Sequence, residues 1–211
     1  MPRGSRRELL SDAAIEVLAR EGGRGLTHRA VDREAEVPEG TTKNYFPTRQ
    51  ALLEAVGKRM ADEHRDAVAR LHELAPESVS VAELVQLYRA MLERARGGGR
   101  SQFLALFELY VESVRRPELQ RTVGQMAMTN VESALGLRKA AGLDGQVRDA
   151  ALLDAFFLGL AISMLALPDD MLDTVGFTDT ERLSQSLLRA VRVDAEPVQC
   201  ALWEDDFISV G

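Results

Sequence analysis

Five consecutive residues, Thr41, Thr42, Lys43, Asn44 and Tyr45, gather hydroxyl, ammonium, carboxamide and phenol groups into one short run. Carried on a helix, such groups suit hydrogen bonding to a nucleic acid better than covalent chemistry. A duplex major groove admits a single α-helix, so a reading helix has to be short, with small or polar residues facing out, and braced by a second helix against the backbone. Residues 38–44 meet that description. Lys43 and Asn44 have the reach and the donors for base edges, and Thr41 and Thr42 can meet a base or a thymine methyl. Other chemistries have little to work with. The chain holds no G-x-S-x-G, no phosphate-binding loop and no Cys/His pairing with nucleophilic spacing. Its one cysteine, Cys200, and three histidines form neither a disulfide nor a zinc set, so no metal or other cofactor is expected. An enzyme with a helical active site is the reading these residues support least.

The elements that position those groups follow from composition and periodicity. With 45% hydrophobic and 28% charged residues over 211 positions, a packed fold is expected. The net charge of −7 is unevenly placed: residues 1–60 carry 11 Lys/Arg against 9 Asp/Glu, whereas residues 61–211 carry 15 against 24. The first segment alone could approach DNA comfortably. The start MPRGSRRELL is basic but lacks a following apolar stretch, so no export signal is expected and a reducing cytoplasm fits best.

Helix signals dominate and strand-like alternation is nearly absent, which predicts an all-α fold. Ser5-Arg6-Arg7-Glu8 is a capping box for a first helix that stripes Leu9, Leu10, Ala13, Ala14, Val17 and Leu18 along one face, ended by Gly22 and Gly23. Thr27 caps a second helix through Glu34, and Pro38 opens a third reaching Asn44. Thr48 restarts the chain in a long fourth helix to about Leu74, and Ser80-Val81-Ala82-Glu83 boxes a helix to Arg96. After Gly97-Gly98-Gly99, helices are expected at 103–114, from Pro117 through Leu135, at 150–167, and from a box at Thr178-Asp179-Thr180-Glu181 until the pattern fades near Val193.

Residues 6–56, RRELLSDAAIEVLAREGGRGLTHRAVDREAEVPEGTTKNYFPTRQALLEAV, resemble the N-terminal region of the TetR family of transcriptional regulators. The likeness lies in a combination: Ala13-Ala14, Val17 and Gly22 on the first helix, Thr27 at the start of the second, the Tyr45-Phe46 pair, and the restart at Thr48-Arg49-Gln50-Ala51-Leu52-Leu53. It implies a three-helix, helix-turn-helix DNA-binding domain over 1–49, a linking helix at about 48–74, a helical ligand-binding and dimerisation domain over 50–193, and a C-terminal tail at 194–211. Tyr45 and Arg49 match phosphate-contacting positions, as do Thr27 and Arg29, while Phe46 is expected in the core. Glu36 departs from the pattern, standing in the turn where the family usually has glycine.

The run at 150–167 is close to the length of a membrane span, but Asp154 and Gly159 favour a helix buried between its own core and a partner subunit. The resemblance implies that helices at about 148–167 and 179–192 pair with their copies in a homodimer, which would suit a palindromic duplex. Tyr88, Met91, Phe103, Phe107, Tyr110, Met126, Phe156 and Met164 are candidates for lining an apolar ligand pocket. The function expected is a repressor that leaves its operator when a small apolar ligand binds. The alternative is a DNA-binding activator or architectural factor answering to a protein partner or to no ligand.

Overall fold

The computed structural model describes residues 5–74 and 78–190. Among the described residues the chain forms ten α-helices and no strand: α1 (Arg6–Gly25), α2 (His28–Glu34), α3 (Thr41–Tyr45), α4 (Arg49–Leu74), α5 (Val81–Arg96), α6 (Arg100–Ser113), α7 (Pro117–Ala140), α8 (Val147–Ala166), α9 (Asp169–Thr174) and α10 (Thr180–Ala190). The all-α expectation holds.

Local signals set most of the starts. The Ser5 hydroxyl accepts from the Glu8 N–H at 3.2 Å, and the Glu8 carboxylate accepts from the Ser5 N–H at 2.6 Å, which satisfies two of the donors a helix start leaves orphaned. Ser80 and Glu83 repeat this at α5, Thr27 caps α2 through the Ala30 N–H, Thr48 caps α4 through the Ala51 N–H, and Pro117 opens α7.

Four expectations are corrected. Gly22 and Gly23 kink α1 rather than end it, with Gly22 at φ 68, and helical geometry resumes to Gly25. Pro38 lies in a turn ahead of α3, its carbonyl accepting from the Thr41 N–H at 3.1 Å and the Thr41 hydroxyl at 2.6 Å, so the third helix begins after Gly40, just under one turn later than a start at Pro38 would place it. The last helix is capped by Asp179, whose carboxylate accepts from the Arg182 N–H at 3.0 Å, not by Thr178. Finally, α9 interrupts what sequence left as a connection. Pro168 followed by Asp169 and Asp170 is the proline-then-acid start that marks a helix N-terminus, and its signal was there to be found. The expected extension of α10 past Ala190 and the tail at 194–211 lie outside the described residues.

The helices bury two hydrophobic clusters. The first joins Leu10, Val17 and Leu18 of α1 with Val31, Phe46, Leu52, Leu53 and Val56, and continues into Ala105 and Leu109 of α6 and Leu119 of α7. The second holds Leu84, Tyr88 and Leu92 of α5, Val131 and Leu137 of α7, Leu153 and Phe157 of α8, and Leu187 of α10. Helices α6 and α7 thus serve both ends of the molecule, and any motion of α6 is felt where α1 packs.

The turn between α2 and α3 carries a left-handed residue, Glu36 at φ 51, the one non-glycine with positive φ among the described residues. A Cβ in that region meets the following carbonyl. Glu36→Gly is therefore expected to stabilise the fold by roughly 0.5–1 kcal/mol, the strain relief being partly offset by glycine's unfolded-state entropy. A urea titration of the two proteins checks it, and an unchanged or lower midpoint would show the turn is not strained.

Candidate nucleic-acid interface and ligand cavity

A buried carboxylate positions the short helix α3. Asp32 of α2 accepts from the Gly40 N–H at 2.8 Å, the Thr42 N–H at 2.7 Å and the Thr42 hydroxyl at 2.5 Å. Burial by itself would raise its pKa, but the hydrogen bonds from Thr42 and Gly40 outweigh it and hold Asp32 below the usual carboxylate range. The negative charge also faces the N-terminal end of α3, where backbone N–H groups have no acceptor within the helix. Asp32 was not singled out in the sequence, because an aspartate inside a helix reads as a solvated charge until its three donors are seen.

This bond decides which side of α3 faces out. Thr42 is fully buried, so the expectation that it reads a base is corrected: its hydroxyl is spent on Asp32. Lys43 and Asn44 are exposed, Thr41 is half-buried, and Tyr45 is 38% exposed beside the fully buried Phe46. On α2, Thr27 is exposed at the N-terminus, and Arg29 is exposed and paired with Glu39 at 2.6 Å. His28 donates from Nε2 to the Phe46 carbonyl at 2.6 Å, tying the end of α3 back to α2. The structure therefore brings Thr27, Arg29, Thr41, Lys43, Asn44 and Tyr45 to the α2–α3 unit with side chains at least partly open to solvent.

Arg49 sits differently. Its guanidinium donates to the Gly23 carbonyl and lies 3.3 Å from the Glu112 carboxylate of α6. The Gly23 N–H in turn donates to Glu108 of α6 at 2.9 Å. A Cβ on Gly23 would meet the Glu112 carboxylate, the far end of a flexible side chain that would have to swing aside. In this conformation the Arg49 side chain, 40% exposed, is tied into a junction between α1, α4 and α6.

Behind that junction lies a cavity of about 80 Å³, walled by His64 and Val68 of α4, Leu87, Tyr88 and Met91 of α5, Asn130 and Ala134 of α7, and Asp154 and Phe157 of α8. Of the residues expected to line a pocket, Tyr88 and Met91 do. Phe103 packs against Phe157 with ring centres 6.0 Å apart, and Phe107 lies behind Phe103. The rest are corrected. Tyr110 packs against the first cluster and Met126 belongs to it, Met126 also edging an open depression of about 660 Å³ between α4 and α7. Met164 is buried in the second cluster, and Phe156 is 43% exposed on the outer face of α8. Helical spacing puts aromatic residues in a core without saying which of them leave a gap.

Three polar residues that the sequence did not flag as lining cross this wall. Asn130 donates to Asp154 at 2.8 Å, which leaves the amide oxygen of Asn130 as the acceptor for His64 Nε2 at 2.7 Å. Burial pushes Asp154 up to about 6, only partly opposed by the Asn130 bond, and pushes His64 down, so the imidazole is neutral. Burial and the Asp154 charge push Tyr88 up to about 12. The available signal was Asp154 itself, a lone carboxylate in an apolar run.

A helix held on its inner side by a buried aspartate and polar on its outer side is shaped to enter a groove, and with the helical body behind it the chain has the fold of a helix-turn-helix DNA-binding transcriptional regulator. Residues 79–193 match the tetracyclin repressor-like, C-terminal domain family. The match covers more than half of the chain, which belongs to the tetracyclin repressor-like (TetR) family. Among solved structures, the multidrug binding protein EbrR complexed with imidazole is 27% identical over 92% of this chain and 98% of its own, with a TM-score of 0.64. EbrR complexed with ethidium is 27% identical over 90% of this chain and 100% of its own, at 0.65. SCO1917, a TetR-family member from Streptomyces coelicolor A3, is 27% identical over 90% and 100%, at 0.68. No curated protein matches the sequence.

Two outcomes are expected. Asp32→Ala strands three donors and frees α3, and should cost about 3 kcal/mol in urea denaturation; a loss well under 1 kcal/mol would show that α3 is positioned otherwise. For Asp154 the folded-state pKa lies above the unfolded one, so the folded protein binds the proton more tightly and the ionised group opposes folding. That penalty is full above pH 6 and fades as pH falls towards 4. The displacement from 3.8 to about 6 corresponds to roughly 3 kcal/mol. Asp154→Asn should melt above the wild type at pH 8 and level with it at pH 4. His64 titrates with the opposite sign but in both proteins, so the difference isolates Asp154. Equal melting at both pH values would exclude a strained carboxylate.

Proposed function

We propose that this protein is a repressor that grips a palindromic operator as a homodimer and lets go when a small ligand enters the cavity between α4, α5, α7 and α8. The carrying observation is the double attachment of α6. At one end Phe103 of α6 packs on Phe157, a wall of the cavity. At the other, Glu108 and Glu112 hold the Gly23 kink and Arg49. A ligand that pushes Phe157 displaces α6, and α6 carries α1 and the start of α4 with it, which changes the spacing of two reading heads in a dimer. Such a ligand has to bind the two arrangements unequally. EbrR, solved with imidazole and with ethidium, supports a body that takes small molecules.

Pairing rests on α8. Leu152, Phe156 and Ile162 are exposed along it, with Ala155 and Gly159 between them, and the helix is long and apolar enough to cross a membrane by composition. An apolar stripe with small residues at its centre also suits close packing against a second copy, with α10 beside it. In the operator complex Lys43 and Asn44 read base edges with Thr41, while Tyr45, Thr27 and Arg29 hold phosphates. Arg49 stays with Gly23 and Glu112, and reaches phosphate only if the junction opens.

Selection of bound duplexes from a random pool tests the reading. A palindromic winner bound by two chains is expected. Lys43→Ala should weaken that site about 5- to 100-fold. A winner without twofold symmetry, no enrichment, or an unchanged Lys43→Ala affinity overturns it.

A further inference from the structure

We infer that the cavity between α4, α5, α7 and α8 takes a compact organic monocation, a protonated amine, whose charge is held by Asp154 and whose apolar part lies against Tyr88, Met91 and Phe157. The inference deepens the reading of this cavity as the ligand site.

Charge is the first argument. Among the described residues lining the cavity there is no lysine or arginine, and its one basic side chain, His64, is neutral. Asp154 receives one hydrogen bond, from Asn130 to Oδ1, and its Oδ2 has no donor among the described residues. A half-buried carboxylate left with a single neutral donor and no counter-ion in the lining is costly, and such groups concentrate where something binds. The hydrogen bonds run one way, from His64 to Asn130 to Asp154, so each donor points toward the carboxylate and its negative charge is held at the α8 end. A neutral guest would leave that charge uncompensated, an anion would be repelled, and a dication would exceed it. Asp32 shows the contrast within one chain: three donors satisfy it, and nothing is missing.

Shape is the second. Tyr88 and Phe157 meet edge to face at 6.4 Å, and aromatic faces attract cations as well as apolar surface. The volume of about 80 Å³ is roughly half that of an engineered cavity that admits benzene. A five-membered ring is then the natural size, with the unbranched Met91 able to yield.

Pyrrolidinium and tetrahydrofuran have the same ring size and differ in charge, and both can be titrated against the full-length protein at pH 7.5 by ligand-observed NMR. Pyrrolidinium should bind at least about tenfold more tightly than tetrahydrofuran. Asp154→Asn should bring the two to parity, while its retained tetrahydrofuran binding reports an intact cavity. If the variant binds neither, the wild-type ratio decides. Equal affinities in the wild type, no saturable pyrrolidinium binding, or a preference that survives Asp154→Asn overturns the proposal. No DNA is present in this titration, so its result stands apart from the duplex selection, and a protein can pass either test while failing the other.

Discussion

The seam between α1 and α6 is the constraint on which the rest of the molecule hangs. Two glutamates one turn apart, Glu108 and Glu112, reach across to a single glycine and to Arg49. The N–H and the carbonyl of Gly23 are both satisfied by side chains from other helices, where an uninterrupted α1 would have used them internally. The kink is thus held by partners from α4 and α6, and the side chains of two helices meet at one glycine of a third. Because Ala105 and Leu109 of α6 complete the same cluster that buries Leu18 and Phe46, polar clamp and apolar packing act in parallel.

Asp32 and Asp154 show how one residue type serves two ends. Asp32 is buried and Asp154 half-buried, and the count of donors separates them further. Three donors hold Asp32 ionised and make it a structural peg; one donor leaves Asp154 strained and raised to about 6. Stability favours the first arrangement. The second persists at a cost, in the wall of the cavity between α4, α5, α7 and α8.

Much of the fold was legible in the sequence because its signals are local. The capping boxes at Ser5 and Ser80 act within four residues, and no tertiary contact is needed to make them work. Thr41 and Thr42 mark the limit. In a helix of five residues, periodicity cannot say which of two adjacent threonines faces inward, and the answer comes from Asp32, ten positions earlier in the chain. The same holds for Arg49, whose likeness to a phosphate-binding position said nothing of Glu112, 63 residues later. The cavity was least legible. Aromatic residues announce a core, but a gap is a property of how α4, α5, α7 and α8 fail to close, and Asp154 gains meaning only because the described lining holds no lysine or arginine.

The exposed pair of Arg29 and Glu39 bears on discrimination. Glu39 presents to Arg29 a carboxylate oxygen where a backbone phosphate would offer one, and it does so from within the same α2–α3 unit. Any duplex approaching α2 competes with this internal substitute. If Lys43 and Asn44 read bases as proposed, weak, sequence-blind encounters, which rely on phosphate contacts, are penalised most, while a site that also engages these two residues can bear the exchange. An acidic residue at the edge of a reading head then serves as a threshold, shortening dwell on the wrong sequence more than it weakens hold on the right one.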